Sequence, residues 1–144
     1  MNILFMCVAN SARSQLAEGL AREILGKFVV VESAGSTPGK VNPFAIAALK
    51  EIGLDISKHH SKSYESLDKK FLDKLDYLIT LCAEEVCPNM PTRAKRLHWP
   101  LPDPAKKDET DEVQMERFRE TRDAIARKIL NFADEHGLSE QTNS

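Results

Sequence analysis

The strongest constraint on this chain lies near its start. An apolar run, Ile3-Leu4-Phe5-Met6, leads into Cys7, and five residues separate Cys7 from Arg13. From Asn2 to Val8 the chain is nearly all apolar, the pattern of a central parallel strand covered on both faces. From Ser14 to Leu25 the residues Leu16, Ala17, Leu20, Ala21, Ile24 and Leu25 share one helical side, and Glu18 and Arg22 stand four apart, close enough to pair. A strand, a tight loop and a helix in that order create a site for a tetrahedral oxyanion, because loop N–H groups and the helix N-terminus favour negative charge. The same field favours a sulfur in its anionic, nucleophilic form. Cys7 is therefore the candidate nucleophile, with Val8, Ala9, Asn10, Ser11, Ala12, Arg13 and Ser14 as the binding loop. Arg13 can grip two oxyanion oxygens at once. Ser14 can donate to the sulfur or cap the helix. A lone Cys and Arg would more simply be a buried strand-end thiol and an exposed cation; it is the ordered strand, loop, serine and helix that favour the anion site.

The same alternation continues along the chain. Gly26 is a helix stop, and Phe28 to Glu32 is apolar and β-branched enough for a second strand, ended by Ser33-Ala34-Gly35-Ser36. Asn42 and Pro43 read as N-cap and first residue of a helix through Ala45, Ile46, Ala48, Leu49 and Ile52, stopped by Gly53. The polar stretch Ile56 to Tyr64 fits no period. Leu67 to Leu75 is expected to be a helix, Tyr77 to Leu81 a third strand and Leu97 to Trp99 a short fourth. Proline and charge make Pro100 to Asp111 a loop. Val113 to His136 is a long helix with Phe118, Ile125, Ile129 and Phe132 as its buried stripe, capped by Gly137. The expected fold is α/β, a three-layer sandwich with a central four-stranded parallel sheet and helices on both faces. Residues 1–137 form a single domain and 138–144 a frayed tail. Cys7, Ser33, Cys82 and Asp103 each follow an expected strand, so the carboxyl edge of the sheet would gather them.

Charge and composition narrow the function. A net charge of -2 gives no electrostatic reason for nucleic-acid or membrane binding. No apolar run approaches the ~20 residues of a membrane span. Ile3 to Val8 is too short for a signal peptide, and no basic segment precedes it. Cytoplasm is the expected compartment, where three cysteines are poor material for a structural disulfide framework.

Cys82 and Cys87 have four residues between them, which is not the thioredoxin spacing. Neither do they complete a zinc site, since His59, His60, His98 and His136 are scattered. A disulfide needs Cα atoms within about 7 Å. Five extended residues span roughly 17 Å, so the segment must turn back to close. Positions five apart on a helix do not share a face, so closure would unwind a turn and a redox-switched, mobile segment is expected. The plainer reading is a pair of small buried hydrophobes. Pro102-Asp103-Pro104 holds a carboxylate between two rings, positioned either as a surface turn or as a general acid for a departing oxygen.

Cys7-x5-Arg13-Ser14, followed by Gln15-Leu16-Ala17-Glu18-Gly19, resembles the low-molecular-weight tyrosine phosphatase superfamily, and within it the thioredoxin-coupled arsenate reductases. The resemblance runs on through Ser33-Ala34-Gly35, Val41-Asn42-Pro43, Asp55-Ile56-Ser57, Thr80-Leu81-Cys82 and His98-Trp99 to Asp103-Pro104. It implies arsenate reduction for arsenic detoxification, with Cys7 as the attacking thiol, Cys82 and Cys87 as the second and third thiols of a disulfide relay, and Asp103 as general acid. In these reductases the two later cysteines are commonly spaced more widely than here. The implied partners are an arsenate or phosphate oxyanion and thioredoxin, with glutaredoxin or glutathione as other reductants. A monomer is expected, without a tightly bound cofactor. Asn10, Glu18 and Ser33 match positions that hold a structural potassium ion in some of these reductases, although Asn10 would also serve simply to tie the loop together. The alternative activity is phosphate-monoester hydrolysis through a phosphocysteine, which needs only Cys7, Arg13 and Asp103. Superfamily phosphatases commonly carry aromatic residues after the Asp-Pro, whereas Ala105-Lys106-Lys107 follow here. A non-enzymatic redox or anion sensor is the third reading.

Overall fold

The computed structural model describes residues 1–83, 90–106 and 109–138, with the backbone alone described at Lys27. Four strands, β1 (Asn2–Cys7), β2 (Val30–Gly35), β3 (Tyr77–Thr80) and β4 (Lys95–His98), form one parallel sheet in the order β2-β1-β3-β4. The helices are α1 (Arg13–Leu25), α2 (Pro43–Lys50), α3 (Lys69–Asp73) and α4 (Asp111–Glu135). Period-two alternation along β1 divides the core. Ile3 and Phe5 face the larger cluster with Leu16, Leu20, Leu49, Phe118, Ile125 and Ile129, which α1, α2 and α4 supply. Leu4 and Met6 face a smaller cluster with Phe71, Leu75, Leu78 and Met90. The expected three-layer arrangement is therefore the observed one.

Local chemistry explains most boundaries. The Asn42 side chain accepts from the Phe44 N–H at 2.8 Å and Pro43 opens α2, as expected of an N-cap and first-turn proline. α4 begins two residues earlier than expected, because the Thr110 hydroxyl caps it by accepting from Val113. Its predicted stripe of Phe118, Ile125, Ile129 and Phe132 is buried. β2 departs more. The chain after Leu25 makes a 3-10 turn over Gly26–Phe28, so the strand starts at Val30 rather than Phe28 and runs through Ser33-Ala34-Gly35 instead of ending before them. Pairing with β1 in register, from Asn2 opposite Val30 to Cys7 opposite Gly35, sets those bounds. α3 is shorter than the expected Leu67–Leu75 helix, because Asp68 caps it and a 3-10 turn occupies Tyr64–Ser66. Among the described residues no helix is long and apolar enough to cross a membrane. Cys87, the switching segment expected around it, and the tail beyond Leu138 lie outside the described residues.

β1 connects to β2 on one side, and β2 crosses back to β3 on the other. The carboxyl end of β1 is thus the topological switch point, where parallel sheets receive ligands.

Candidate active site

Cys7 ends β1 at that switch point and is 3% exposed. The loop after it is held from outside by its carbonyls. Val8 O accepts from Thr37 N at 2.9 Å, Ala9 O from Gly39 N at 3.2 Å and from the Ser61 hydroxyl at 2.6 Å, and Ser11 O from Asn42 N at 2.9 Å. Asn10 O accepts from the Gln15 amide at 3.2 Å. In a planar trans peptide the next N–H points opposite to its carbonyl. The N–H groups of Ala9, Asn10, Ser11 and Ala12 are therefore turned away from these outer donors. Asn10 makes the bend at φ 50, a left-handed conformation that asparagine tolerates. Gly35, opposite Cys7 in the register, makes room for the loop: a Cβ there would lie 2.3 Å from Val8 O and 2.9 Å from Asn10 N.

α1 starts at Arg13 with Ala12 as N-cap and no side-chain cap. Of the two roles open to Ser14, contact with the sulfur is the one observed and the cap is not. Ser14 is the second residue of the helix, and its hydroxyl lies 2.8 Å from Cys7 Sγ. The neighbouring amide of Asn10 orients Ser14. Asn10 Oδ1 accepts from Lys62 N and from Gln15 Nε2, both at 3.0 Å, so its amide nitrogen faces the two serines. That nitrogen donates to Ser14 Oγ at 2.7 Å and to Ser33 Oγ at 2.9 Å. Ser33 passes its own hydrogen to Glu18 Oε1 at 2.6 Å. Ser14 accepts from Asn10 and keeps its own hydrogen to offer to the sulfur.

Arg13 is buried at the base of the loop, where its guanidinium donates to Leu101 O at 2.8 Å and Leu81 O at 3.4 Å. Those two carbonyls lie beyond β3 and β4, so the sheet edge itself aims the arginine. Asp103 is exposed, with Oδ1 accepting from Ala105 N at 3.0 Å in a turn that Pro102 and Pro104 restrict. Cys7, Val8, Ala9, Ser11, Ala12, Arg13 and Asp103 together line a cavity of about 230 Å³. Two roomier clefts, of about 510 and 710 Å³, hold no cysteine among the residues lining them, so volume alone does not choose the site. Cys82 is a buried thiol just past β3, at the same sheet edge. No group of three or more His, Cys, Asp or Glu that could hold a metal ion occurs among the described residues.

Asn10, Glu18 and Ser33 do meet, but not as a set of oxygen ligands for potassium. Asn10 offers its N–H₂ to Ser33 rather than its oxygen, and Ser33 spends its hydrogen on Glu18. Both Glu18 oxygens face protein donors: Lys62 Nζ lies 3.3 Å from Oε1, while Arg22 at 3.2 Å and His59 at 3.3 Å approach Oε2. The donor set does not fit an additional cation.

Gln15, Ser61, Lys62 and Gly35 support the loop as closely as its own residues do. Periodicity could not reveal Ser61 and Lys62, which lie in the irregular Ile56–Tyr64 stretch. Gln15, a polar residue on the core side of α1, and Gly35, between strand and loop, were the only signals available.

The fold, with a Cys-to-Arg loop between β1 and α1 at its switch point, defines an α/β thiol-loop protein of the phosphatase type. The chain belongs to the low molecular weight phosphotyrosine protein phosphatase family, whose model matches residues 2–143. Its relatives include arsenate reductases. It is 45% identical over 134 residues to an arsenate reductase of Halalkalibacterium halodurans, covering 92% of this chain and 94% of that protein. A solved arsenate reductase in the phosphate binding state is 32% identical, with a TM-score of 0.76 over 93% of this chain and 97% of that one. A thioredoxin-dependent arsenate reductase of Corynebacterium glutamicum is 32% identical, with a TM-score of 0.69 over 96% of this chain and 62% of that one.

Proposed function

We propose that this protein reduces arsenate to arsenite through a cysteine relay recharged by thioredoxin, in the cytoplasm. The observation that carries the reading is the second buried thiol, Cys82, at the sheet edge that holds Cys7 and its serine donor. A hydrolase needs no such thiol. The likeness to arsenate reductases over nine-tenths of the chain supports the same choice.

Arsenate binds against the loop amides and Arg13, which neutralise its charge. The Cys7 thiolate attacks arsenic, and an oxygen leaves as water with a proton from Asp103, giving a Cys7–arsenate adduct. The Cys82 thiolate then attacks Cys7 Sγ. The sulfur–arsenic bond breaks, its electron pair stays on arsenic, and arsenite leaves as a Cys7–Cys82 disulfide forms. Cys87 attacks Cys82, releasing the Cys7 thiolate and moving the disulfide to Cys82–Cys87. A dithiol, thioredoxin by the likeness to the Corynebacterium enzyme, reduces that bond and is itself oxidised. Arsenic(V) accepts two electrons readily and phosphorus(V) does not, so the same loop would hydrolyse phosphate esters slowly with water in place of Cys82.

The test is arsenate-dependent NADPH oxidation with thioredoxin and thioredoxin reductase, set beside p-nitrophenyl phosphate hydrolysis. Cys82→Ser is expected to abolish reduction and leave hydrolysis in place. Wild-type protein that hydrolyses the ester but turns over no arsenate with thioredoxin or glutaredoxin would make it a phosphatase instead.

A further inference from the structure

The misfit of potassium at Asn10, Glu18 and Ser33 has a specific cause, which is Lys62. Its backbone N–H donates to Asn10 Oδ1 at 3.0 Å, its carbonyl accepts from Gly35 N at 2.9 Å, and its ammonium reaches Glu18 Oε1 at 3.3 Å and Glu32 Oε2 at 3.6 Å. Glu18 is 2% exposed and needs compensating charge. Around it stand two carboxylates, Glu18 and Glu32, and two cations, Arg22 and Lys62, with Arg22 also 3.6 Å from Glu32. His59, against Glu18 Oε2 and Gln15 Oε1, adds no charge at neutral pH, because burial lowers its pKa. The cluster is neutral as it stands, and one more positive ion would leave it unbalanced.

We propose that Lys62 supplies from within the chain the cation of this cluster, so that the loop carrying Cys7 needs no potassium and Lys62 is a positioning residue for that thiol. The route is continuous: Lys62 holds Glu18, Glu18 takes the hydrogen of Ser33, Ser33 accepts from Asn10, Asn10 donates to Ser14, and Ser14 Oγ lies in hydrogen-bond contact with Cys7 Sγ. A dissolved ion would have to displace an ammonium whose backbone is already fixed at both ends beside the carboxylate. A tethered group holds its place at an effective concentration that solution ions do not match.

The experiment compares potassium with sodium at matched ionic strength in wild type, Lys62→Met and Lys62→Arg. Melting temperature and p-nitrophenyl phosphate hydrolysis are the readouts, and neither requires arsenate. Wild type is expected to show the same melting temperature and kcat/KM in both salts. Lys62→Met should lose about tenfold in kcat/KM, the low end for removing an outer-shell partner of a charged site. It should recover in potassium along a saturable curve, its melting temperature rising in potassium and not in sodium. Lys62→Arg should stay active and indifferent to the salt, which separates a charge requirement from general packing. A saturable potassium activation of wild type would overturn the inference, and this arm holds even if the Met variant does not fold. A Met variant with full activity and no potassium response would overturn it as well. Potassium-independent ester hydrolysis without arsenate turnover would leave this inference standing and remove only the reductase reading.

Discussion

At the scale of the residue, the working group is one sulfur and one hydroxyl. Ser14 is fully buried, and the amide of Asn10 donates to its hydroxyl, which meets Cys7 Sγ. Removing it takes the hydroxyl contact from the attacking sulfur and leaves Asn10 with an unanswered N–H. A hydrogen bond to a charged group is worth ~1.5–3 kcal/mol, so Ser14→Ala should cost roughly tenfold to a hundredfold in kcat/KM for arsenate. The rate of iodoacetamide alkylation of Cys7 at neutral pH should fall in the same variant, which ties the loss to the sulfur and not to substrate grip. This pair was legible in the sequence, because a strand, a Cys, a loop and a Ser at the helix start leave the two side chains little choice. The partner that orients the serine was less so. Asn10 could be placed in the loop, but its amide faces as it does because Gln15 Nε2 and Lys62 N, the latter 52 residues away in sequence, donate to its oxygen.

At the scale of the element, the loop is a shape imposed by its neighbours. Thr37, Gly39 and Asn42 after β2, the Ser61 hydroxyl and the Gln15 amide take up its carbonyls, and Gly35 lets it approach. A Cβ at Gly35 would meet backbone oxygen and nitrogen, not the movable end of a side chain, so relief requires the loop itself to shift. Gly35→Ala should destabilise the fold by about 1–3 kcal/mol, in the range of overpacking. Activity should suffer more, by around a hundredfold, because catalysis falls steeply when a reacting group moves by about an ångström. Thermal melting beside ester hydrolysis would resolve the two effects. Gly19 makes a contrast: a Cβ there would lie 2.6 Å from Leu49 Cδ1, the tip of a flexible chain. The elements themselves were mostly readable, α2 from its Asn-Pro start and α4 from its four-point stripe. The polar Ile56–Tyr64 segment was not, since its order comes from long-range contacts with the loop and carries no period of its own. The start of β2 was misplaced for a related reason: Phe28 and Val30 look like strand residues but are more than half exposed, and register with β1 decides the boundary.

At the scale of the whole molecule, the helix layer over the larger core is tied by charge as well as by apolar packing. Glu51, just past α2, accepts from Arg119 Nε at 3.0 Å and from its terminal nitrogen at 2.7 Å, while Arg122 donates to the same carboxylate at 2.9 Å and to Ala48 O at 2.8 Å. Arg122 stands four residues after Phe118 and three before Ile125, on the buried stripe of α4, but its charge made it read as part of the solvated face. The hydrogen bonds from Arg119, with those from Arg122 behind them, hold Glu51 down to about 2 against the opposing effect of desolvation. The consequence for stability has a definite sign. A carboxyl that titrates lower in the folded chain than in the unfolded one binds fewer protons when folded. Its contribution is complete above the unfolded value of 4.5 and drains away as pH falls toward about 2. Glu51→Gln should therefore lower the urea midpoint at pH 7 and flatten its dependence on pH between about 5 and 2, the two proteins converging at the acid end. Because this carboxylate is partly exposed, added salt should shrink the gap at pH 7. A variant whose acid limb remained parallel to that of wild type would place the acid sensitivity of the fold in some other carboxylate. The active-site loop lies at the opposite function of the same architecture: its support is buried and nearly charge-neutral, so ester hydrolysis by Glu51→Gln at pH 7 should match wild type while its stability does not.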